Sequence, residues 1–327
     1  MPVTTTLLPS LAELERASAI VHGVMPPTPQ QRWPLLDART SAQVWVKHEN
    51  HTPVGAFKVR GGLVFFHELA ESGVSVRGVV TATRGNHGQS IARAAARHGL
   101  ETVVVVPHGN STEKNAAMRA LGAELVEFGD DFQAAVEHAD AIARDRGWYR
   151  VPSFHRWLVA GVGTYGLELF NGVGPLDAVY VPIGLGSGIC GMIAARDALG
   201  LATDIIGVVS SQAPAYARSL ASGRVESHPV TTRLADGMAV RTPVLEALEA
   251  MRGKVARTVE VSDAQVAEAM RVLFSDTHNV AEGAGAAGVA AILADGDRAR
   301  GRRIGVVLSG GNVDRDVFAR VLAGADS

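Results

Sequence analysis

The stretch VYVPIGLGSGICG, Val179 to Gly191, begins as an apolar run, breaks into alternating glycines and continues as a helix-like segment. Glycines let a backbone approach a ligand closely, and the free N–H groups at the start of a helix attract anions. The stretch therefore predicts a strand, a phosphate-binding turn and a helix. The phosphate of a dinucleotide and that of another cofactor both fit this pattern.

Three of these glycines have the G-x-G-x-x-G spacing of dinucleotide-binding proteins, namely Gly186, Gly188 and Gly191. That motif also needs an acidic residue about 20 positions further on, at the end of the next strand, to bind the ribose. The next predicted strand, DIIGVVS, is followed by serine and glutamine instead. A nicotinamide-dependent oxidoreductase is therefore a less favoured alternative, as is a glycine turn that serves only close packing.

The rest of the chain alternates short β-branched runs with longer helical segments. Residues 76–83, 101–107, 123–128 and 302–309 have the apolar character of buried strands. Asn110 with Glu113, and Ser262 with Gln265, have the spacing of capping boxes at helix starts. Alternating strands and helices predict an α/β fold with mostly parallel sheets.

Length, charge and cysteine content exclude several classes of protein. The chain has 327 residues and a formal net charge of -2, so no basic surface for nucleic acid is expected. No uncharged run reaches the roughly 18 apolar residues that a membrane span needs, and the N-terminus lacks the pattern of a signal peptide. Cys190 is the single cysteine, which excludes a disulfide framework. We expect a cytoplasmic protein without nucleic-acid or membrane partners.

Lys58 lies in the segment ENHTPVGAFKVRGG, among apolar and small residues. Such a lysine is either a surface residue with a packed stem or a buried functional amine. Burial lowers the pKa of an amine and makes the neutral, nucleophilic form available, as a Schiff base with a carbonyl cofactor requires. Phe57 is suited to cover one face of a flat ring.

Four blocks of this sequence resemble, in the same order, those of the fold-type II pyridoxal-phosphate enzymes of the threonine and serine dehydratase group, which includes serine racemase. The blocks are GAFKVRGG, TRGNHGQSIA, PIGLGSG and LSGGN, and the resemblance covers nearly the whole chain. It implies two α/β domains with mostly parallel sheets flanked by helices, as in the tryptophan synthase β subunit. The large, cofactor-binding domain would comprise residues 1–52 and 155–327, and the small domain residues 53–154.

The resemblance also implies pyridoxal 5'-phosphate as the cofactor, with Lys58 as its Schiff-base lysine. Asn86 would bond the ring hydroxyl and Ser309 the ring nitrogen. The implied cofactor-binding residues are Phe57, Lys58, Asn86, Gly184, Gly186, Ser187, Gly188, Glu282, Ser309 and Gly310. The implied substrate-binding residues are Thr83, Arg84, Gly85, Asn86 and His87.

The activity implied by the resemblance is β-elimination of a 3-hydroxy amino acid, such as threonine, serine or 3-hydroxyaspartate, to a 2-oxo acid and ammonia. Lys58 would be the base that removes the Cα proton. A homodimer or homotetramer is the implied assembly, and no long carboxy-terminal regulatory domain follows LSGGN. A racemase of the same family is an alternative, but Arg84 stands where serine racemase has a serine, and an arginine does not shuttle protons.

Departures from the family pattern concern the substrate. Arg84 would suit an acidic side chain on the substrate, or form a salt bridge to a nearby acid of the protein. Val54 and Ala56 replace polar residues and would suit a bulky aryl group. His155 and Arg156 add basic residues in the stretch PSFHRWL.

A divalent metal site is not expected. In the metal-dependent members of the family a glutamate and an aspartate follow the strand after the phosphate loop, whereas the matching positions here are Val209 and Ala215. Divalent cations prefer hard oxygen ligands, which these side chains do not supply.

Overall fold

The computed structural model describes residues 7–326, which form ten strands and thirteen α-helices. The strands are β1 (Gln30–Arg32), β2 (Gln43–His48), β3 (Gly78–Ala82), β4 (Glu101–Val106), β5 (Glu124–Glu127), β6 (Tyr149–Arg150), β7 (Ala178–Pro182), β8 (Asp204–Ser210), β9 (Arg257–Val261) and β10 (Arg303–Leu308). The helices are α1 (Leu11–His22), α2 (Pro34–Thr40), α3 (Lys58–Glu71), α4 (Asn86–Arg97), α5 (Thr112–Ala120), α6 (Phe132–Arg146), α7 (Arg156–Val173), α8 (Ser187–Ala198), α9 (Ala215–Ser222), α10 (Leu245–Met251), α11 (Asp263–Thr277), α12 (Gly283–Asp295) and α13 (Arg315–Leu322).

The strands form two separate sheets. A six-stranded sheet has the order β1-β2-β10-β7-β8-β9, and all its neighbouring strands are parallel except the pair β1 and β2. A four-stranded sheet has the order β5-β4-β3-β6 and is parallel throughout. The predicted α/β class with mostly parallel sheets is confirmed.

All four strands of the smaller sheet lie between Gly78 and Arg150, inside the range predicted for the small domain. The larger sheet takes β1 and β2 from one side of that range and β7 to β10 from the other. The boundaries at residues 52 and 154 stay a prediction. Residues 1–6 and 327 of the predicted large domain lie outside the described residues.

Helix starts follow local sequence signals, with one exception to the predictions. Ser262 and Gln265 form the predicted capping box of α11. At α5, however, the cap is Ser111 and not Asn110, because the Ser111 side chain accepts from the backbone N–H of Lys114. The predicted partner Glu113 instead accepts a hydrogen bond from the backbone N–H of Arg315, in α13.

Helices α7 and α8 pack with their backbones close together against the larger sheet. A Cβ atom at Gly191 would lie 2.7 Å from the backbone nitrogen of Gly163, so only glycine fits between the two helices. Gly191, the third glycine of the dinucleotide spacing, therefore serves helix packing and does not line a ligand site. Among the described residues no helix is long and apolar enough to cross a membrane.

Candidate active site

The loops that follow β3, β7 and β10 open into one cavity of about 1210 Å³. The carboxyl ends of parallel strands are the usual place for ligands in open α/β sheets, because crossover loops leave a crevice there. Thirteen of the predicted site residues line this cavity, namely Phe57, Lys58, Thr83, Arg84, Gly85, Asn86, His87, Gly184, Gly186, Ser187, Gly188, Glu282 and Ser309.

Lys58 is the first residue of α3, and the structure places its amine among protein atoms at the cavity wall. Nζ donates to the Ser187 hydroxyl at 2.9 Å and lies 4.9 Å from the centre of the Phe57 ring. Loss of hydration in this position lowers the pKa of Lys58 to about 8. Of the two alternatives for this lysine, the structure thus favours the functional amine over the surface residue.

The glycine turn before α8 lies beside Lys58, whose amine donates to the Ser187 hydroxyl at the end of the turn. Gly186 has φ +105, a backbone conformation that favours glycine, and a Cβ atom at Gly184 would collide with the carbonyl of Gly237. α8 begins at Ser187, so its unpaired N–H groups lie at the turn. A helix start with these N–H groups and no bulky side chain is a seat for a phosphate dianion.

The loop from Thr83 to His87 forms a second wall. The Thr83 hydroxyl accepts from the backbone N–H of Gly85 at 2.9 Å and of Gly88 at 3.3 Å, which holds the loop as α4 begins. Burial, with the charges of Lys58 and Arg150, lowers the pKa of His87 to about 3. His87 is therefore neutral, and it adds no charge to this wall.

Arg84 extends from the same loop and is exposed at the cavity. No carboxylate of residues 7–326 forms an ion pair with its guanidinium. The alternative of a structural salt bridge for Arg84 therefore finds no partner in the described part of the chain.

A directed chain of hydrogen bonds ends at the cavity. The Asn312 amide nitrogen donates to the carbonyl of Val54 and to Oδ1 of Asn86, each at 2.8 Å. Asn86 in turn donates through Nδ2 to Oε1 of Glu282 at 2.5 Å. Because the Val54 carbonyl can only accept, the direction of every bond in the chain is fixed.

Two charged residues of the site were not predicted. Lys114 of α5 contacts Oδ2 of Asp236 at 2.7 Å and Oε2 of Glu282 at 3.1 Å, and both Lys114 and Asp236 line the cavity. Asp236 lies in the segment LADGMAV, Leu234 to Val240. Lys114 carries no local signal, because its partners are more than a hundred residues away in the chain.

Several other predictions about the pocket are wrong or need revision. Gly310 does not line the cavity but packs beneath Glu282, where a Cβ atom would lie 2.5 Å from Oε1. His155 caps α7 by accepting from the backbone N–H of Trp157, and Arg156 contacts Glu13. Both basic residues thus act outside the cavity. Val54 and Ala56 are buried and do not line it either, so they give no support for an aryl substrate.

Among the described residues, no group of three or more histidine, cysteine, aspartate or glutamate side chains is placed to hold a metal ion. The residues present do fit pyridoxal phosphate. An enclosed amine lies beside an aromatic ring, an anion-binding helix start faces it, and Asn86 and Ser309 offer polar groups from the other walls. Lys58 would hold the aldehyde carbon, and the turn at Gly184 to Gly188 the phosphate.

Comparisons with known proteins agree with this site. The family model described as "Pyridoxal-phosphate dependent enzyme" matches residues 22–310. The L-threonine ammonia-lyase of Thermotoga maritima is 33% identical over 96% of this chain and 78% of its own. The L-threo-3-hydroxyaspartate ammonia-lyase of a Pseudomonas species is 32% identical over 97% of this chain and 99% of its own. Among solved structures, maize serine racemase has a TM-score of 0.89 and 26% identity, and the match covers 97% of each chain.

These matches overturn the nicotinamide alternative, in agreement with the packing role of Gly191. They agree with the order of the four sequence blocks and with the two parallel sheets. The chain belongs to the family of pyridoxal-phosphate-dependent enzymes, within the fold-type II group of threonine and serine dehydratases.

Proposed function

We propose that this protein catalyses the β-elimination of water from a 3-hydroxy amino acid, which releases a 2-oxo acid and ammonia. The observation that carries the proposal is the enclosed amine of Lys58, which lies beside an anion-binding glycine turn in a cavity large enough for cofactor and substrate. When bound, pyridoxal phosphate supplies an electron sink that acidifies the Cα–H bond of an amino acid. Relatives named as threonine and 3-hydroxyaspartate ammonia-lyases support this reaction.

Lys58 acts in this proposal as the base that takes the Cα proton. A base works best when its pKa lies near the working pH, since it must be deprotonated before the transfer and still basic enough to accept. Burial brings the pKa of Lys58 to about 8. A substantial fraction of the amine is therefore neutral at physiological pH, which an exposed lysine does not achieve.

The remaining residues bind and orient. The backbone N–H groups of the loop from Thr83 to His87 donate to the substrate carboxylate at the start of α4. Asn86 would donate to the oxygen of the ring hydroxyl beside Glu282, and Ser309 would give the ring nitrogen a neutral hydrogen-bond partner. A neutral partner, unlike a carboxylate, does not hold that nitrogen protonated, which favours loss of a leaving group over transamination.

Substitution of Lys58 tests this proposal directly. We expect Lys58→Ala to lower 2-oxo acid release at least 1000-fold across a panel of serine, threonine and 3-hydroxyaspartate. In the wild type, borohydride reduction followed by peptide mass spectrometry is expected to find the pyridoxyl group on Lys58. Ser187→Ala, which removes the hydrogen-bond partner but keeps the amine, serves as the matched control and should retain the covalent label. Normal turnover by Lys58→Ala, or a label on another lysine, would disprove the assignment.

Within this class we propose a substrate with an acidic side chain, such as 3-hydroxyaspartate. The support is the exposed guanidinium of Arg84 at the cavity and the similarity to an L-threo-3-hydroxyaspartate ammonia-lyase. We expect Arg84→Gln to lower kcat/KM for 3-hydroxyaspartate at least 30-fold, while serine changes less than 3-fold. For 3-hydroxyaspartate, the kcat/KM of Arg84→Lys should lie between those of the wild type and Arg84→Gln. An equal loss for both substrates would assign Arg84 a structural role.

Racemisation should be absent or minor, since it needs a proton donor on the face opposite Lys58. Arg84 stands at the position of the serine in serine racemase, and an arginine side chain does not exchange protons with Cα. The check is deuterium incorporation at Cα of unreacted substrate, followed by chiral chromatography.

We also propose that the enzyme works in the cytoplasm as a homodimer or homotetramer. An apolar face supports the assembly: Leu35 of α2, Phe274 of α11 and Leu322 of α13 are exposed, and α2 and α13 both pack against α11. Sedimentation equilibrium should give the mass of two or four chains, and charged substitutions at Leu35 and Phe274 should produce monomers. A monomeric wild type would refute this assembly.

A further inference from the structure

Lys114 connects two parts of the molecule at the cavity. It belongs to α5, between β4 and β5 of the smaller sheet, whereas its two acidic partners flank the larger sheet. Asp236 lies in the turn Asp236–Met238, and Glu282 is the residue before α12. The side chain of Lys114 is 7% exposed, so its positive charge is almost completely shielded from solvent.

The charge of Lys114 is determined by its two partners. Burial by itself lowers the pKa of a lysine amine, but the adjacent carboxylates of Glu282 and Asp236 more than offset this and raise the pKa of Lys114. Lys114 therefore stays protonated throughout the accessible pH range. Lys58, in contrast, has a pKa near 8 and cannot serve as a permanent counter-charge in the same cavity.

Glu282 needs that charge to stay ionised. Its side chain is 3% exposed, and burial raises its pKa, as does the charge of Asp236. Lys114 and the Asn86 amide oppose this increase but do not cancel it, so the pKa of Glu282 stays above its usual value. Lys114 and Asp236 are the charged groups that act on the Glu282 carboxyl, so removal of Lys114 leaves two acids close together in a poorly hydrated position, and the favourable response is uptake of a proton.

The protonation of Glu282 decides what the cavity presents to a ligand at Asn86. With Glu282 ionised, the chain of bonds from Val54 runs outward through Asn312 and Asn86, and one N–H of Asn86 donates to Glu282. The second N–H of Asn86 then remains available to the cavity. A protonated Glu282 accepts more weakly and can itself donate, so the hydrogen bond that holds the Asn86 amide against Glu282 weakens.

We propose that Lys114 is a positioning residue that keeps Glu282 ionised and thereby holds the Asn86 amide in the orientation that donates to the cofactor's ring oxygen. The geometry that carries the proposal is the continuous contact path from Lys114 through Glu282 and Asn86 to Asn312. A second contact supports it: the Lys114 stem packs on Gly85, where a Cβ atom would collide with Cδ. The proposal rests on the proposed cofactor seat at Lys58 and Asn86.

The visible absorption spectrum of the cofactor-loaded enzyme tests this inference, because the band positions respond to the protonation of the ring oxygen and not to turnover. We expect the wild-type spectrum to stay constant between pH 6 and 8. Lys114→Met should show a pH-dependent exchange between two bands and a cofactor Kd raised at least 10-fold. Lys114→Arg, which keeps the charge, should resemble the wild type.

A double variant separates charge control from a general structural role. In Lys114→Met/Glu282→Gln the titrating carboxyl is absent, so the pH dependence should disappear even if the cofactor remains weakly bound. Persistence of the pH dependence in this double variant, or an unchanged spectrum and affinity in Lys114→Met, would overturn the proposal. A wild type without any visible band would instead disprove the cofactor seat itself, which is a different outcome.

Discussion

The chemistry of this protein depends on single residues whose properties are changed by enclosure. Lys58, His87 and Glu282 all border one cavity, and desolvation is the largest influence on the pKa of each. Desolvation lowers the pKa of a base and raises the pKa of an acid, because burial always disfavours the charged form. The pKa of Lys58 thus falls to about 8 and His87 is neutral at physiological pH, whereas the pKa of Glu282 rises and Lys114 opposes that increase.

The enclosed amine of Lys58 lowers the stability of the cofactor-free protein at neutral pH. Its pKa is about 8 in the folded chain and near 10.5 when unfolded, so between these values the unfolded state binds more protons and stability rises with pH. We expect Lys58→Met to stabilise the apoprotein by roughly 1–3 kcal/mol at pH 7, with cavity water limiting the effect. The difference should shrink as the pH rises from 8 towards 10.5.

Urea denaturation of both apoproteins between pH 7 and 10.5 measures this difference. Lys254→Met is the control, because the Lys254 amine is exposed and contacts Asp197 at the surface. It should change the free energy of unfolding by less than about 1 kcal/mol at each pH. A destabilised Lys58→Met apoprotein at pH 7 would show that the charged amine stabilises the folded state, which contradicts its lowered pKa.

At the scale of elements, α3 is held by a buried ionic cluster two residues after Lys58. Arg60 donates to Glu49 at 2.7 Å and to Glu168 of α7 at 2.6 Å, and all three side chains are buried. Lys47 of β2 contacts the same Glu168. The cluster ties the start of α3 to the end of β2 and to α7, so it fixes the helix that carries the amine of Lys58.

Removal of Arg60 should destabilise the fold strongly. Burial raises the pKa of Glu168, but Arg60 and Lys47 outweigh it and lower the pKa to about 2. Arg60→Met removes an ion-pair partner from both Glu49 and Glu168. We expect it to lower the free energy of unfolding by about 3–5 kcal/mol at pH 7. The loss should diminish as the pH falls from about 4.5 towards 2, because Glu168 then takes up a proton in the wild type and the contribution of its ion pairs disappears.

Guanidinium denaturation at pH 7 and pH 4 checks this expectation. Arg119→Met, which breaks a surface pair with Glu127, is the matched control and should cost less than about 1 kcal/mol. An equally small loss in Arg60→Met would mean that the cluster does not hold α3.

The elements differ in how far the sequence determines them. The strand, glycine turn and helix around Val179–Gly191 could be predicted, because apolar periodicity and glycine position are local signals. The α5 cap could not, since Asn110 and Ser111 are both good caps and only the tertiary contact of Glu113 with Arg315 distinguishes them. The basic residues His155 and Arg156 were likewise expected to influence the substrate. Both lie at the start of α7, outside the cavity, where His155 caps the helix and Arg156 contacts Glu13.

At the scale of the whole molecule, the candidate site is formed where the two sheets meet. The smaller sheet contributes the loop at Thr83–His87 and Lys114, and the larger sheet contributes the glycine turn, Asp236, Glu282 and Ser309. The site residues in the four blocks that resemble the family could be found from the sequence, because each block is a short continuous segment. The pairing of Lys114 with Asp236 and Glu282 could not, since it depends on how the sheets are arranged.

A second contact across this junction joins the starts of α5 and α13. Asp314 accepts from the Ser111 hydroxyl and from the backbone N–H of Glu113, and Glu113 accepts from the backbone N–H of Arg315 at 2.9 Å. Each helix start thus receives an acidic partner from the other helix or its cap, which the helix dipoles favour. Because the contact is largely exposed, it should control local opening more than global stability.

We expect Asp314→Ala to increase hydrogen–deuterium exchange in residues 111–120 at least 5-fold and to raise the cofactor Kd, because α5 carries Lys114 to the cavity. The free energy of unfolding should fall by less than about 1 kcal/mol. Glu124→Ala, which breaks a surface ion pair with Arg146 inside the smaller sheet, is the matched control and should leave α5 exchange unchanged. If exchange in α5 is the same in Asp314→Ala and the wild type, the junction is held by Lys114 and its acids alone.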